Sequence, residues 1–351
     1  MKTPSLTTTP KYLDLAAGIL RLIAAQGLKD GDVLPPEKRL ASQFQVNHLT
    51  VRKALKNLEQ RGLVHAVPSR GNYVGRRPRS RRRTNLVGVL FPDAESFFYD
   101  IITELESRMA HFGLAPVVCL SHGSPEREHR ALEFFDAVGV CGLAAAPNAS
   151  CAEAYRDLEI PAVFFDSRIA GVPIPYVITD DVEGTRHGVE HLLSLGHRAI
   201  AHIGAQGDET SQQRLAGFVA ALKGAGCSVP AGFVRLKEYS RQWGYYAAEQ
   251  LFGSSQRPTA VFCGNDTIAS GVLRYLRARG IACPADVSVL GFSNSQLSAD
   301  LELSSIDQPR EVIAKAVWKN LQACMRGDPP ELETKIMTSL VIRRSTSAAA
   351  R

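Results

Sequence analysis

A stretch beginning at Asn47 carries Val51, Ala54, Leu55 and Leu58 at i, i+3, i+4 and i+7, with His48, Arg52, Lys53 and Lys56 on the opposite side. A helix with that pattern buries one stripe and offers a cationic one to a polyanion. Soon after it, Pro68-Ser69-Arg70-Gly71 sets an arginine at the tip of a hairpin between Leu63–Val67 and Asn72–Gly75. A second group of residues lies much later. Asp93 with Phe97 and Phe98, then Asp166, Asn265-Asp266 and Ser293-Asn294, each follow a short apolar run, and Arg214 and Trp243 stand near the starts of later helices. Carboxylates, amides and one arginine can bracket a polyhydroxylated ligand with charge-assisted hydrogen bonds, and aromatic faces can stack on its C–H surfaces. That composition suits a sugar; a purine or another small polar metabolite also fits.

Charge divides the two groups. Residues 1–84 hold 17 basic and 5 acidic side chains, whereas residues 85–351 hold 24 basic and 30 acidic ones, giving +12 and −6. A small basic block on a mildly acidic body suggests a polyanion-binding head. The run Arg76-Arg77-Pro78-Arg79-Ser80-Arg81-Arg82-Arg83 has nothing apolar to bury and reads as an exposed linker, either touching nucleic-acid phosphates or serving as a solvated spacer. Several enzyme classes lack their signatures. There is no metal-ligand cluster, no Gly-x-Ser-x-Gly elbow and no phosphate loop. His197 and Asp166 could be imagined as an acid–base pair, but no spacing demands it. The seven cysteines are scattered without Cys-x-x-Cys, so buried reduced thiols are expected rather than disulfides or zinc. No apolar run is long enough for a membrane span and no secretory signal is evident, which predicts a cytoplasmic protein with no membrane partner.

The elements that must position these residues follow from periodicity. A first helix is expected over Pro10–Gln26, capped by Thr9 and ended by Gly27. A short second helix follows Pro35-Pro36, and a third is capped by Asn47 and closed by Gly62. Three helices and a hairpin make a winged helix-turn-helix, whose third helix can enter a major groove. From Asn85 onward, apolar runs at Leu86–Phe91, Pro116–Leu120, Ala162–Phe165, Ile200–Gly204, Ala260–Cys263 and Val287–Phe292 alternate with amphipathic stretches. This argues for parallel α/β sheets in two lobes, with ligands beyond the carboxyl ends of the strands.

The head resembles the GntR-type DNA-binding domain in Gly31-Asp32-Val33-Leu34-Pro35-Pro36-Glu37, Thr50-Val51-Arg52-Lys53-Ala54-Leu55 and Arg70-Gly71-Asn72-Tyr73-Val74. The resemblance implies DNA contacts at Lys38, Asn47, His48, Thr50, Arg52, Arg70 and Gly71. Asn47-His48 replaces the family's usual Ser-Arg, which removes a bidentate arginine from a base-reading position, and Pro36 replaces a capping serine. Glu37 is read as orienting a neighbouring basic side chain.

The body resembles the effector domain of the LacI/GalR repressors, of type I periplasmic-binding-protein fold. The resemblance rests on Ile160–Asp166, Gly184–Leu192, Leu195-Gly196-His197-Arg198, Arg214–Phe218, Arg257–Asp266 and Pro284–Phe292. It implies effector contacts at Phe98, Asp166, Arg214, Trp243, Asn265 and Gln308, with Ser293 where the family often has a sugar-binding aspartate. The candidate pocket is thus Asp93, Phe97, Phe98, Asp166, Arg214, Trp243, Asn265, Asp266, Ser293 and Gln308. Together the two resemblances suggest the arabinose-repressor class. The expected organisation is a head at 1–75, a linker at 76–84, a ligand-sensing and dimerisation body at 85–347 and a tail at 348–351. The expected function is a ligand-responsive regulator, without cofactor or metal, that binds a double-stranded DNA operator as a homodimer and is released by a small polar effector such as a sugar. The alternative is a small-molecule-binding protein of the sugar-binding class without a regulatory role.

Overall fold

The computed structural model describes residues 11–67, 71–75, 84–93 and 96–349, in two compact units that part at residues 82–83. Arg70, the arginine run 76–83 and the Thr9-Pro10 helix start lie outside the described residues.

The first unit has α1 (Lys11–Ala25), α2 (Glu37–Gln43), α3 (His48–Gln60) and the antiparallel pair β1 (Val64–Val67) and β2 (Gly71–Val74). Leu15, Ile19, Leu40, Val51, Ala54, Leu58 and Val64 close its core. Burying these helical stripes leaves the opposite side of α3 to solvent. Pro36 precedes α2 without a side-chain cap, as its lack of a hydroxyl requires, whereas the Asn47 carboxamide accepts from the Thr50 amide and starts α3. Beside the hairpin, Val33 bridges to Tyr73, and Gly71 takes φ +113°, a conformation that a side chain would strain.

The second unit has two six-stranded sheets. In the first lobe β3 (Leu86–Phe91), β4 (Ala115–Leu120), β5 (Gly142–Ala145), β6 (Ala162–Phe165), β7 (Tyr176–Thr179) and β13 (Glu333–Ile336) are all parallel, in the order β13-β7-β6-β5-β3-β4. The second lobe is formed by β8 (Ile200–Ala205), β9 (Val234–Lys237), β10 (Ala260–Cys263), β11 (Ser288–Ser293), β12 (Ser304–Asp307) and an antiparallel edge, β14 (Ser339–Val341), in the order β14-β12-β11-β10-β8-β9. Helices cover both faces of each sheet, which is why most strands read as unbroken apolar runs. The chain passes from lobe to lobe after β7, after β12 and after β13. In each sheet the strand order reverses beside an early strand, between β3 and β5 and between β8 and β10. The switch points where ligands bind in such sheets therefore lie there.

Close helix packing fixes the second lobe. Helices α9 (Arg241–Phe252) and α10 (Asp266–Ala278) meet through two glycines. A Cβ on Gly244 would stand 2.1 Å from the Ile268 carbonyl oxygen, and one on Gly271 would stand 2.1 Å from that of Arg241. Backbone cannot retreat as a flexible side chain can. We expect Gly244→Ala to destabilise the body by about 1–3 kcal/mol through overpacking, seen as a lower melting temperature in calorimetry, with little change in an exposed-site control such as Gly224→Ala.

Candidate functional site

In the head, the first turn of α3 carries most of the residues expected at DNA. His48 and Arg52 share one carboxylate oxygen, Glu37 Oε2, at 2.9 Å and 3.2 Å. Such exposed pairs add little stability, so their effect is orientation. Glu37 takes the Arg52 Nε, and the Arg52 side chain is otherwise largely exposed. Lys38, Lys53 and Lys56 are exposed around it. The Asn47 side-chain oxygen, Oδ1, accepts from both the amide and the hydroxyl of Thr50, at 2.7 and 2.8 Å. Those two residues therefore build the helix start, and of the Asn47 side chain only the amide nitrogen is left to offer. Gly71 lies exposed at the start of β2.

In the body, Arg214 lies on α8 (Glu209–Gly224), a turn and a half inside the helix rather than at its opening. It is 4% exposed. Its Nε donates to Asp181 Oδ2 at 2.8 Å, its Nη1 donates to the Gly264 carbonyl at 2.7 Å, and its guanidinium lies 3.9 Å from the Phe292 ring centroid. Asp181 opens α7 (Asp181–Ser194) and also accepts from the Thr179 hydroxyl. Burial works against the Arg214 charge, yet Asp181, Tyr239 and Asp166 carry its pKa above the ordinary value.

Asp166 follows β6 in left-handed backbone, φ +64°. Burial pushes its carboxyl up to about 7, with Arg214 pulling the other way and the carboxylates of Asp181, Asp208 and Asp93 adding to the rise. One guanidinium already committed to Asp181 does not fully neutralise a second carboxylate. From the opposite lobe Thr210 donates to the Asp166 carbonyl at 3.3 Å, and Arg168 reaches Glu209 at 3.0 Å, so this edge of the cleft is bridged.

Tyr239 completes the cluster. Its hydroxyl is buried without a hydrogen-bond partner, and Arg214, Asp208, Asp166 and Asp181 all act on it electrostatically. A buried phenol hydroxyl left unmatched costs free energy unless a ligand or water meets it. Tyr239 comes two residues after β9, and Asp181 two residues after β7. Neither strand stands out as an apolar run, because Val234-Arg235-Leu236-Lys237 alternates and Tyr176–Thr179 has only two aliphatic residues between a tyrosine and a threonine. The rule of looking just beyond strand ends would have found both.

Other expected pocket residues take different places. Trp243 sits in the second lobe's core, 9% exposed, its indole N–H donating to the Gly204 carbonyl at 3.0 Å, while Tyr239, in the loop before α9, joins Phe292 as an aromatic group near Arg214. Asp266 is 1% exposed and accepts from Ser293, Ser295 and Ser305, which makes it the anchor of the loop after β11. Asn265 caps α10 through the Ile268 amide. Phe97 and Phe98 belong to the first lobe's core, Phe98 stacked on Phe91. Gln308 is buried at the second crossing and donates to Thr179 at 3.0 Å. Ser293 closes β11 at φ +104°, and Asp93 is half-buried beyond β3. Among the described residues no group of His, Cys, Asp or Glu is placed to hold a metal ion, and no helix is long and apolar enough to cross a membrane.

Comparison with known proteins matches both units. Residues 11–74 fit the bacterial regulatory proteins, gntR family, and residues 189–346 fit the periplasmic binding protein-like domain. The arabinose metabolism transcriptional repressor of Geobacillus stearothermophilus is 28% identical over 319 residues, 86% of this chain and 88% of that protein. The HTH-type transcriptional repressor CytR of Escherichia coli K12 is 27% identical, covering 89% of this chain and 96% of its own. Among solved structures, a LacI transcriptional regulator from a Rhodococcus species superposes with a TM-score of 0.68 at 27% identity, over 76% of this chain and 100% of that one. These relatives are regulators, not enzymes.

The Asp166 carboxyl yields a test that needs no ligand. The unfolded chain releases this proton near the ordinary value of 3.8, while the native state holds it to about 7. Native stability is therefore penalised as pH rises through that window, and the penalty is complete above it. Asp166→Asn, which tolerates left-handed backbone, should stabilise the ligand-free protein on the order of 3 kcal/mol at pH 8 and by almost nothing at pH 4. Urea unfolding of both proteins across that range reads the difference. A gap that does not change with pH would show that the carboxyl is not held protonated.

Proposed function

We propose that the chain, whose residues 11–74 match the gntR family and 189–346 the periplasmic binding protein-like domain, is a transcriptional repressor that holds operator DNA until a small polar effector enters the cleft of the body. Residues 1–75 act as the head, 76–84 as linker, 85–347 as sensing and dimerisation body and 348–351 as tail. The operator is pseudo-palindromic and bound by a homodimer, because one such head buries too little surface for high affinity and specificity. Lys38, His48, Arg52, Arg70 and Gly71 contact DNA, and the cap pair Asn47 and Thr50 presents the helix. In the cleft, Arg214, Asp166, Tyr239 and Ser293 meet the effector, Asp93 and Gln308 flank it, and Phe97 and Phe98 back the wall.

One observation carries the ligand reading. A buried guanidinium, a half-buried carboxyl and an unpartnered phenol hydroxyl converge where strand ends meet. Together they offer N–H donors, an oxygen acceptor and one O–H that can serve as either, which is the complement of adjacent hydroxyl groups on a sugar or nucleoside. Induction follows if the effector prefers the lobe arrangement that binds DNA less well.

Two substitutions separate the activities. Tyr239→Phe removes a hydroxyl with no partner inside the protein, so the ligand-free melting temperature should hold or rise slightly. Effector affinity should fall by about 5- to 30-fold, with operator affinity intact. Arg52→Ala should weaken operator binding by about 1–3 kcal/mol while the effector still raises the melting temperature fully. A melting screen over sugars and nucleosides identifies the effector, and fluorescence anisotropy with labelled operator reads the DNA side. Loss of both activities in either folded variant would count against the division of labour.

A further inference from the structure

Leu49, the second residue of α3, is 68% exposed. It lies at i, i+3, i+4 and i+7 with Arg52, Lys53 and Lys56, so one solvent-facing stripe of the helix begins with a leucine and continues as three cations. The core stripe, Val51, Ala54, Leu55 and Leu58, faces the other way. A lone exposed leucine is ordinary on a protein surface. This one is flanked by His48 and Arg52, both tethered to Glu37, and is thus held at the part of the helix that would lie deepest against a duplex. A second copy of the same face is disfavoured as its cover, because three like charges would meet three more.

Resting on the DNA-binding reading above, we propose that Leu49 reads the 5-methyl group of a thymine in the major groove. The cations along the stripe would be drawn to the phosphates, and among the base edges of that groove the thymine methyl is the apolar group that an aliphatic side chain can cover. Leu49 then adds a base preference that the Asn47-His48 pair, lacking the bidentate arginine, does not supply.

The experiment uses the intact chain. A half-site is selected from a random duplex pool, and each thymine in it is replaced in turn by deoxyuridine, which differs only by hydrogen in place of the methyl. Burial of one methyl corresponds to about fourfold in affinity. One thymine per half-site should therefore show a loss of about that size in the wild type. Leu49→Ala should bind the thymine site more weakly and bind thymine and uracil forms equally. A wild type indifferent to uracil at every position would overturn the proposal, as would a Leu49→Ala protein that keeps the discrimination. If Leu49 instead packs on another protein copy, Leu49→Ala will lose self-association without any thymine dependence, which also overturns it. Failure to enrich any sequence would reject the DNA-binding reading itself and is distinct from uracil indifference on an enriched site.

Discussion

The Arg214–Asp181 ion pair is the constraint around which the body is arranged. Both side chains are almost wholly buried, and removing two charges from water costs several kcal/mol for each. The attraction offsets that cost only when geometry and the remaining hydrogen bonds are good. The geometry meets that condition. Asp181 accepts from Arg214 and Thr179, while Arg214 also donates to the Gly264 carbonyl and lies against the Phe292 face. Those contacts fasten α8, the first turn of α7 and the ends of β7, β10 and β11 to one point. Asp181 follows directly on a crossing between the lobes, so the point sits at the hinge. What the pair leaves over defines the site: one guanidinium nitrogen, the elevated carboxyl of Asp166 and the hydroxyl of Tyr239.

Arg310 has the complementary place on the far side of the hinge. From the start of α12 (Arg310–Arg326) it reaches Asp100 on α4 (Ser96–Ala110) in the first lobe, and the Ser293 and Asn294 carbonyls in the second. Lys335 and Asp180 join near the third crossing at 2.8 Å. Polar ties of this kind hold one lobe arrangement without the large apolar interface that would forbid another. An effector has leverage only through a difference in affinity between arrangements, and ties that cost little to exchange keep that difference within reach of a small molecule.

How far the sequence could be read depended on how each element is buried. Helix α3 was legible because its apolar stripe and its cationic stripe alternate cleanly, and Asn47 announced its start. Glu37 was legible as an orienter because a carboxylate among cations has little else to do. The strands covered on both faces, such as Leu86–Phe91 and Ala162–Phe165, read as apolar runs. β7, β9 and β12 did not, being tipped by Tyr and Thr, alternating or serine-bearing, and Asp181 and Tyr239 of the candidate site follow the first two of these. Trp243 was ambiguous for a related reason: an aromatic near a helix start can face a cleft or the core, and here the ring packs in the second lobe's core with its indole N–H donating to the Gly204 carbonyl. Asp266 reads as a ligand group because the serines that satisfy it lie far along the chain, Ser293 ending β11, Ser295 in the loop after it and Ser305 on β12.

If effector and operator act on one equilibrium, their linkage is reciprocal. The most direct measurement is a calorimetric titration of the effector into the intact chain, once free and once saturated with operator. The two affinities should differ by about 5- to 150-fold, the operator-bound form being the weaker binder if the effector releases DNA. Equal affinities for the two forms would contradict that linkage.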